Sequence, residues 1–248
     1  MALALGLAVF IGLSLTLLGG GGSIITVPVL VYAAGQTPRD AVPISLAIVS
    51  VVSLLGAVHK ARSGLVHWKA AGAFGAAGIP GALLGAQATP LVPPHVLLLL
   101  FALLMLGVAI RMWRCSLATP AAGADCNFAR CLAAGFGVGG LTGFLGVGGG
   151  FLLVPALVYF ALLTPPVAVG TSLAIIALNS LGGLVGHWPI ASGHGAFTAW
   201  FVLAASAGML VGLPLAPRVS DRVLHRGFAG FVALLGLFVI AETLFHAA

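Results

Sequence analysis

Long apolar runs, each closed by a short cluster of glycine, proline or charged positions, divide this chain into ten elements. They lie at 2–18, 24–35, 41–58, 68–87 and 96–113, then at 132–145, 151–163, 167–185, 196–215 and 223–243. Runs such as VLLLLFALLMLGVAI lack the apolar/polar alternation of a membrane β-barrel strand, so they read as helices. Most approach the roughly 20 residues that a bilayer-spanning helix needs, whereas 24–35 is too short to span comfortably. Composition agrees: 61% of residues are hydrophobic and 6% charged, against the roughly 25% charged residues of an ordinary soluble domain. Mean hydropathy is +1.23. The prediction is an all-α polytopic membrane protein with about 8–10 helical elements. The first run lacks the basic start of a signal peptide and recurs inside the chain, so it is read as structure.

The pattern repeats at a shift of 127 residues. LLGGGGSIITVPVLVY begins at Leu17 and FLGVGGGFLLVPALVY at Phe144, so that Gly19 pairs with Gly146, Gly21 and Gly22 with Gly148 and Gly149, and Pro28 with Pro155. The register continues through Thr37 and Thr164, Ser45 and Ser172, Gly81 and Gly208, and Gly85 and Gly212. A duplication follows: repeat one at 1–113, a linker at 114–127 and repeat two at 128–248, folded together as one transmembrane domain.

Charge then orients the halves, because cytoplasmic loops are enriched in Lys and Arg. In the first half Lys60, Arg62 and Lys69 lie between the third and fourth elements, and none lies between the fourth and fifth. In the second half this is reversed, with Arg218, Arg222 and Arg226 after the fourth element, while Arg111, Arg114 and Arg130 make the linker region basic. All these regions can be cytoplasmic only if the repeats have inverted topology, which is a transporter signature. Parity then places both termini outside an inner (plasma) membrane. The first two elements of each half form either a short span or a re-entrant hairpin. A net charge of +6, scattered at element ends with no basic-aromatic cluster, gives no support to nucleic-acid binding.

The glycines separate into two kinds. Gly135, Gly139 and Gly143, at four-residue spacing, suit close helix packing. Four consecutive glycines at Gly19–Gly22 instead weaken a helix by roughly 1 kcal/mol each. An interrupted helix is tolerated in a bilayer where protein or a watery cavity satisfies its backbone, and matched interruptions in inverted halves point to a transport site. The helix start that follows each break offers unpaired N–H groups and about half a positive charge, which suits an anion. The candidate anion donors are therefore the N–H groups of Gly21, Gly22, Ser23, Gly148, Gly149 and Gly150. Hydroxyls at the start of each third element, Ser45, Thr171 and Ser172, join them, and Asn179 lies further along the same stripe as Ser172. Back-bonding to the helix is the alternative for these hydroxyls. His59 and His187 end the third elements at matching places, where a proton or anion gate and a helix cap are both open readings.

Other chemistry finds little to build on. Asp40, Asp125, Asp221 and Glu242 lie at element ends or in loops, which weakens a cation site. Cys115, Cys126 and Cys131 are too few and wrongly spaced for a four-cysteine zinc site and read as incidental thiols. GFGVGG at 135–140 sits in an apolar run with no acidic residue about 20 positions on, and no GK[ST] follows a glycine cluster. No enzyme chemistry, resident metal or cofactor is expected.

The blocks GGGGSIITVPVLVYAAGQTPRDAVPISLAIV and GVGGGFLLVPALVYFALLTPPVAVGTSLAII, with IPGALLG and AGMLVGLPLA, resemble the sulfite exporter TauE/SafE family over nearly the whole chain. The resemblance implies a bacterial or archaeal-type inner-membrane permease for sulfite, organosulfonates or related sulfur-containing anions, usually an exporter. Ser23 standing where the second block has Gly150, and the short central loop, leave the particular anion open. The resulting expectation is alternating access around a central anion. Its partners are a small anionic substrate and the lipid bilayer, with no nucleic acid; homo-oligomerisation is compatible with it. A membrane subunit without a substrate, a carboxylate permease and a metal permease are the competing classes.

Overall fold

The computed structural model describes residues 2–88, 94–114, 128–145, 150–186 and 195–215, together with 226–227, 229–230, 232–234, 236–237 and 240. Among the described residues every regular element is helical. In chain order these are α1 (Ala2–Leu18), α2 (Gly21–Pro28), a π-helical turn (Val29–Ala33), α3 (Pro38–Arg62) and α4 (Trp68–Ala88). They are followed by α5 (Pro94–Arg114), α6 (Phe128–Leu145), α7 (Gly150–Phe160), α8 (Pro165–Gly186) and α9 (Gly195–Leu215). The segments Asp40–Arg62, Pro165–Gly182 and Gly195–Leu215 are long and apolar enough to cross a membrane. The molecule is an all-α polytopic membrane protein.

Local chemistry sets the boundaries. Pro28 has no N–H to give to the preceding turn, and directly after it the helix widens: Ala34 N–H bonds to Val29 O at 3.1 Å, five residues back. The eight residues of α2 and the five of the π turn span only about 20 Å. α1 and α2 therefore form a tight hairpin, in which a β-carbon on Gly22 would lie 2.6 Å from Ile11 O and 2.7 Å from Leu15 Cγ. Thr37 caps α3. Its Oγ1 accepts the Asp40 N–H at 3.3 Å while its O–H donates to Asp40 Oδ2 at 2.7 Å, and Pro38 follows at the first turn. The turn before it recurs in the second half. Gly35 (φ 68°) and Leu162 (φ 54°) both have left-handed backbones, with Gln36 N–H on Leu30 O at 2.9 Å and Leu163 N–H on Leu157 O at 3.2 Å.

Helices from the two halves pair across the molecule: α1 on α9, α4 on α6, α3 on α8, and α2 on α7. Glycine lets the backbones touch. Gly139 of α6 meets Gly78 of α4, and Gly12 of α1 meets Ala205 of α9. Shifting by 127 residues turns one contact into the other, since Gly12 becomes Gly139 and Gly78 becomes Ala205. Gly81 against Phe136 O and Gly208 against Val9 O are exchanged in the same way. α3 and α8 run antiparallel, for Gly56 abuts Leu173 whereas Gly170 abuts Lys60 and Leu65.

Two buried clusters result. One surrounds α8, with Phe74, Leu157, Leu173 and Ile175, and the other joins α1, α3 and α9 through Leu15, Leu30, Ile44, Ile48 and Phe201. Large apolar side chains also cover the outside, among them Leu83, Leu103, Leu203 and Leu210, as a bilayer-facing surface requires. Trp68, Trp113 and Trp200 are exposed near helix ends, where interfacial tryptophans sit. The cysteine reading needs revision at one position: Cys131 is fully buried and disulfide-bonded. Cys115 and Cys126 lie outside the described residues.

Candidate functional site

The first glycine break is a two-residue bend. Gly19 N–H closes α1 on Leu15 O at 2.9 Å, and Gly19 then turns into the left-handed region (φ 72°), which an L side chain resists. Gly20 precedes α2 with no side-chain cap. The first N–H groups of α2 have no acceptor within their helix. Of these, Ser23 N–H reaches Gly20 O at 3.3 Å, and Ser23 Oγ donates to the same oxygen at 2.7 Å. Thr26 Oγ1 donates to Gly22 O at 2.9 Å.

Elements of the second half hold this bend. A β-carbon on Gly150, where α7 begins, would lie 2.6 Å from Ser23 Oγ, 3.0 Å from Ile176 Cδ1 and 3.1 Å from Gly20 O. One on Gly19 would lie 2.8 Å from Ser172 Oγ and 2.9 Å from Val154 Cγ2 of α7. Ser172 is fully buried, and its hydroxyl lies 2.9 Å from Gly19 O and 2.8 Å from Val169 O, sharing one proton between them. The starts of α2 and α7 thus meet, each with the positive end of its helix dipole. Gly19, Gly20, Gly22, Gly150 and Ser172 are all buried, and Ser23 is half-buried.

The other expected residues fall into distinct places. Ser45 is buried and donates to Val42 O at 2.7 Å, the same back-bond that Ser172 makes to Val169. Thr171, also buried, accepts the His67 N–H at 3.0 Å; His67 Nδ1 in turn accepts the Ala70 N–H at 3.1 Å and caps α4. Thr171 therefore ties α8 to the connection between α3 and α4. Asn179 is exposed whereas Ser180 beside it is buried, because the buried face of α8 has rotated past Asn179 by that turn. His59 is exposed, and its carbonyl accepts Ser63 Oγ at 3.2 Å. Gly21 opens α2. Gly148, Gly149 and His187 lie outside the described residues.

Gly19, part of the predicted break but not of the predicted donor set, forms the joint to Ser172 through its positive φ and its carbonyl. Ser53, which the spacing of eight places on one stripe with Ser45, is buried with its hydroxyl unpartnered, as is that of Thr198. Among the described residues no three His, Cys, Asp or Glu side chains gather as metal ligands. Asp40 is engaged at the cap of α3, so the described junction presents backbone donors and hydroxyls with no carboxylate. Such a set stabilises negative charge.

The sulfite exporter TauE/SafE family matches residues 4–239. A probable membrane transporter protein of Xylella fastidiosa (strain Temecula1) is 34% identical over 244 residues, covering 93% of this chain and 91% of the relative. The probable membrane transporter protein YunE of Bacillus subtilis is 28% identical over 234 residues, covering 84% of each chain. One from Methanocaldococcus jannaschii is 22% identical, covering 93% of this chain and 91% of the relative. No solved structure matches the chain.

Proposed function

The chain belongs to the sulfite exporter TauE/SafE family and is a membrane transporter, and from that premise we propose that it exports a small sulfur-containing anion, such as sulfite or an organosulfonate, across the inner membrane by alternating access. The observation that carries this reading is the meeting of two helix starts, that of α2, which has no side-chain cap, and that of α7, at buried glycines, with Ser172 holding Gly19. Two half-positive helix ends repel unless negative charge lies between them, so their juxtaposition favours an anion. The antiparallel packing of α3 on α8 and the contacts that recur with the halves exchanged support an inverted placement of the two repeats. In that arrangement the breaks form one central site with donors from Gly21, Gly22, Ser23 and Gly150 and the hydroxyl of Ser172, while Ser45, eleven residues before the Gly56 that packs on Leu173, lies further along α3. The buried junction corresponds to an occluded state, and rocking of one half against the other opens it to either side. Outward movement of a monovalent anion along an inside-negative potential gains about 2.3 kcal/mol per 100 mV, so export needs no ATPase.

The direct test is thermal stabilisation of the purified protein by a panel of sulfite, sulfonates, carboxylates and metal ions. Selective stabilisation by sulfur anions supports the reading. Stabilisation by carboxylates alone, by metals alone or by none of them overturns it.

A further inference from the structure

A groove of about 530 Å³ lies between α3 and α8, and none of the residues of the glycine junction lines it. Leu54 and Val58 of α3 and Ala177 and Leu178 of α8 line it, and Arg62 and Trp68 stand at one end. Leu54, Val58 and Leu178 are exposed, so in a membrane this groove opens to the bilayer and not to the protein interior. From Leu54 to Arg62 it follows just over two turns of α3, about 12 Å. Its walls offer an anion in transit no hydroxyl or amide side chain, which separates it from the substrate path.

Arg62 has no acidic partner among the described residues. Asp40, the acidic residue described, lies at the opposite end of α3 and is engaged by Thr37. A guanidinium at the mouth of an apolar channel, beside an exposed tryptophan of the interfacial kind, lacks only an anion attached to a hydrocarbon chain. We propose that this groove is a binding site for an anionic phospholipid, its acyl chain between α3 and α8, its phosphate on Arg62 and its glycerol region against Trp68. Guanidinium pairs bidentately with phosphate, and basic pockets between membrane helices select anionic head groups. Because α8 also carries Ser172, the lipid packs against a helix that holds the junction. The proposal does not depend on which substrate is transported.

The test compares phosphatidylglycerol with phosphatidylcholine of identical acyl chains, using retained lipid in native mass spectrometry and thermal stability of the intact protein in detergent. Phosphatidylglycerol is expected to be retained preferentially. Arg62→Gln lowers that preference about fivefold, the effect of one interfacial basic residue, while Arg226→Gln leaves it unchanged. Ala177→Phe, which fills the groove, removes retention of both lipids; should that variant fail to fold, the two arginine variants still decide. Equal retention of both lipids by the unaltered protein, or an unchanged preference in Arg62→Gln, overturns the proposal. So does a dimer that Arg62→Gln dissociates without any lipid preference, which assigns the groove to a second copy of the chain.

Discussion

Replacing Ser172 by alanine removes the proton that α8 contributes to the carbonyl of Gly19. That carbonyl lies in the bend, where the Ser23 N–H has turned to Gly20 O instead. Val169 O, the other acceptor, keeps the N–H of the next helical turn, so the loss falls on Gly19. An orphaned buried carbonyl costs about 1–3 kcal/mol, but interhelical hydrogen bonds in membrane proteins average about 0.6 and reach about 1.7 kcal/mol, so about 1–1.5 kcal/mol is expected. Ser50→Ala is the matched control. Its hydroxyl is just as buried, yet it donates only to Ala47 O of its own helix, at 2.9 Å, and its loss costs a few tenths of a kcal/mol at most. Titrating both variants with sodium dodecyl sulfate in detergent micelles, followed by far-UV circular dichroism, measures the difference directly. Equal midpoints for Ser172→Ala and Ser50→Ala would refute the claim that Ser172 holds the bend.

Gly12→Leu and Gly139→Leu each force a side chain into a facing backbone and are expected to cost 1–3 kcal/mol or more by the same titration. Gly137→Leu, with open space around it, is tolerated. Gly35→Ala tests backbone strain alone, because φ is 68° and nothing lies within 4 Å of the added carbon; a loss of about 1 kcal/mol is expected. Reporters fused to each terminus, active on one side of the membrane only, should place both outside; a cytoplasmic amino terminus contradicts the inverted arrangement.

What the sequence made legible follows from the bilayer as solvent. Helices, glycine interruptions and the 127-residue register can be read because spans must be apolar and breaks must be rare. Which face of each helix meets protein is harder to read, since lipid and core are equally apolar and leave no polar face to mark the outside. By spacing Asn179 therefore belongs with Ser172, although the structure turns it outward. Gly22 illustrates another loss: within a run of glycines nothing distinguishes the one pressed against Ile11 from those that make the bend. Pro28 marks a disturbance of the helix, but Pro155 at the matching place lies inside the regular helix α7, so the proline alone does not announce a π turn. The tie from Thr171 to His67 links positions 104 apart and became visible only when α8 met the α3–α4 connection.

The central claim is that a small anion crosses the membrane through the paired glycine breaks. Efflux of radiolabelled sulfite and of an organosulfonate from proteoliposomes under an inside-negative potential tests it most directly. Gly150→Val serves as the comparison, since its side chain presses on Ser23 and Gly20 across the junction. The account predicts potential-driven efflux of at least one of these anions by the unaltered protein, and its loss in Gly150→Val preparations that retain their fold. Efflux no faster than from empty vesicles, or equal rates in both proteins, would contradict it.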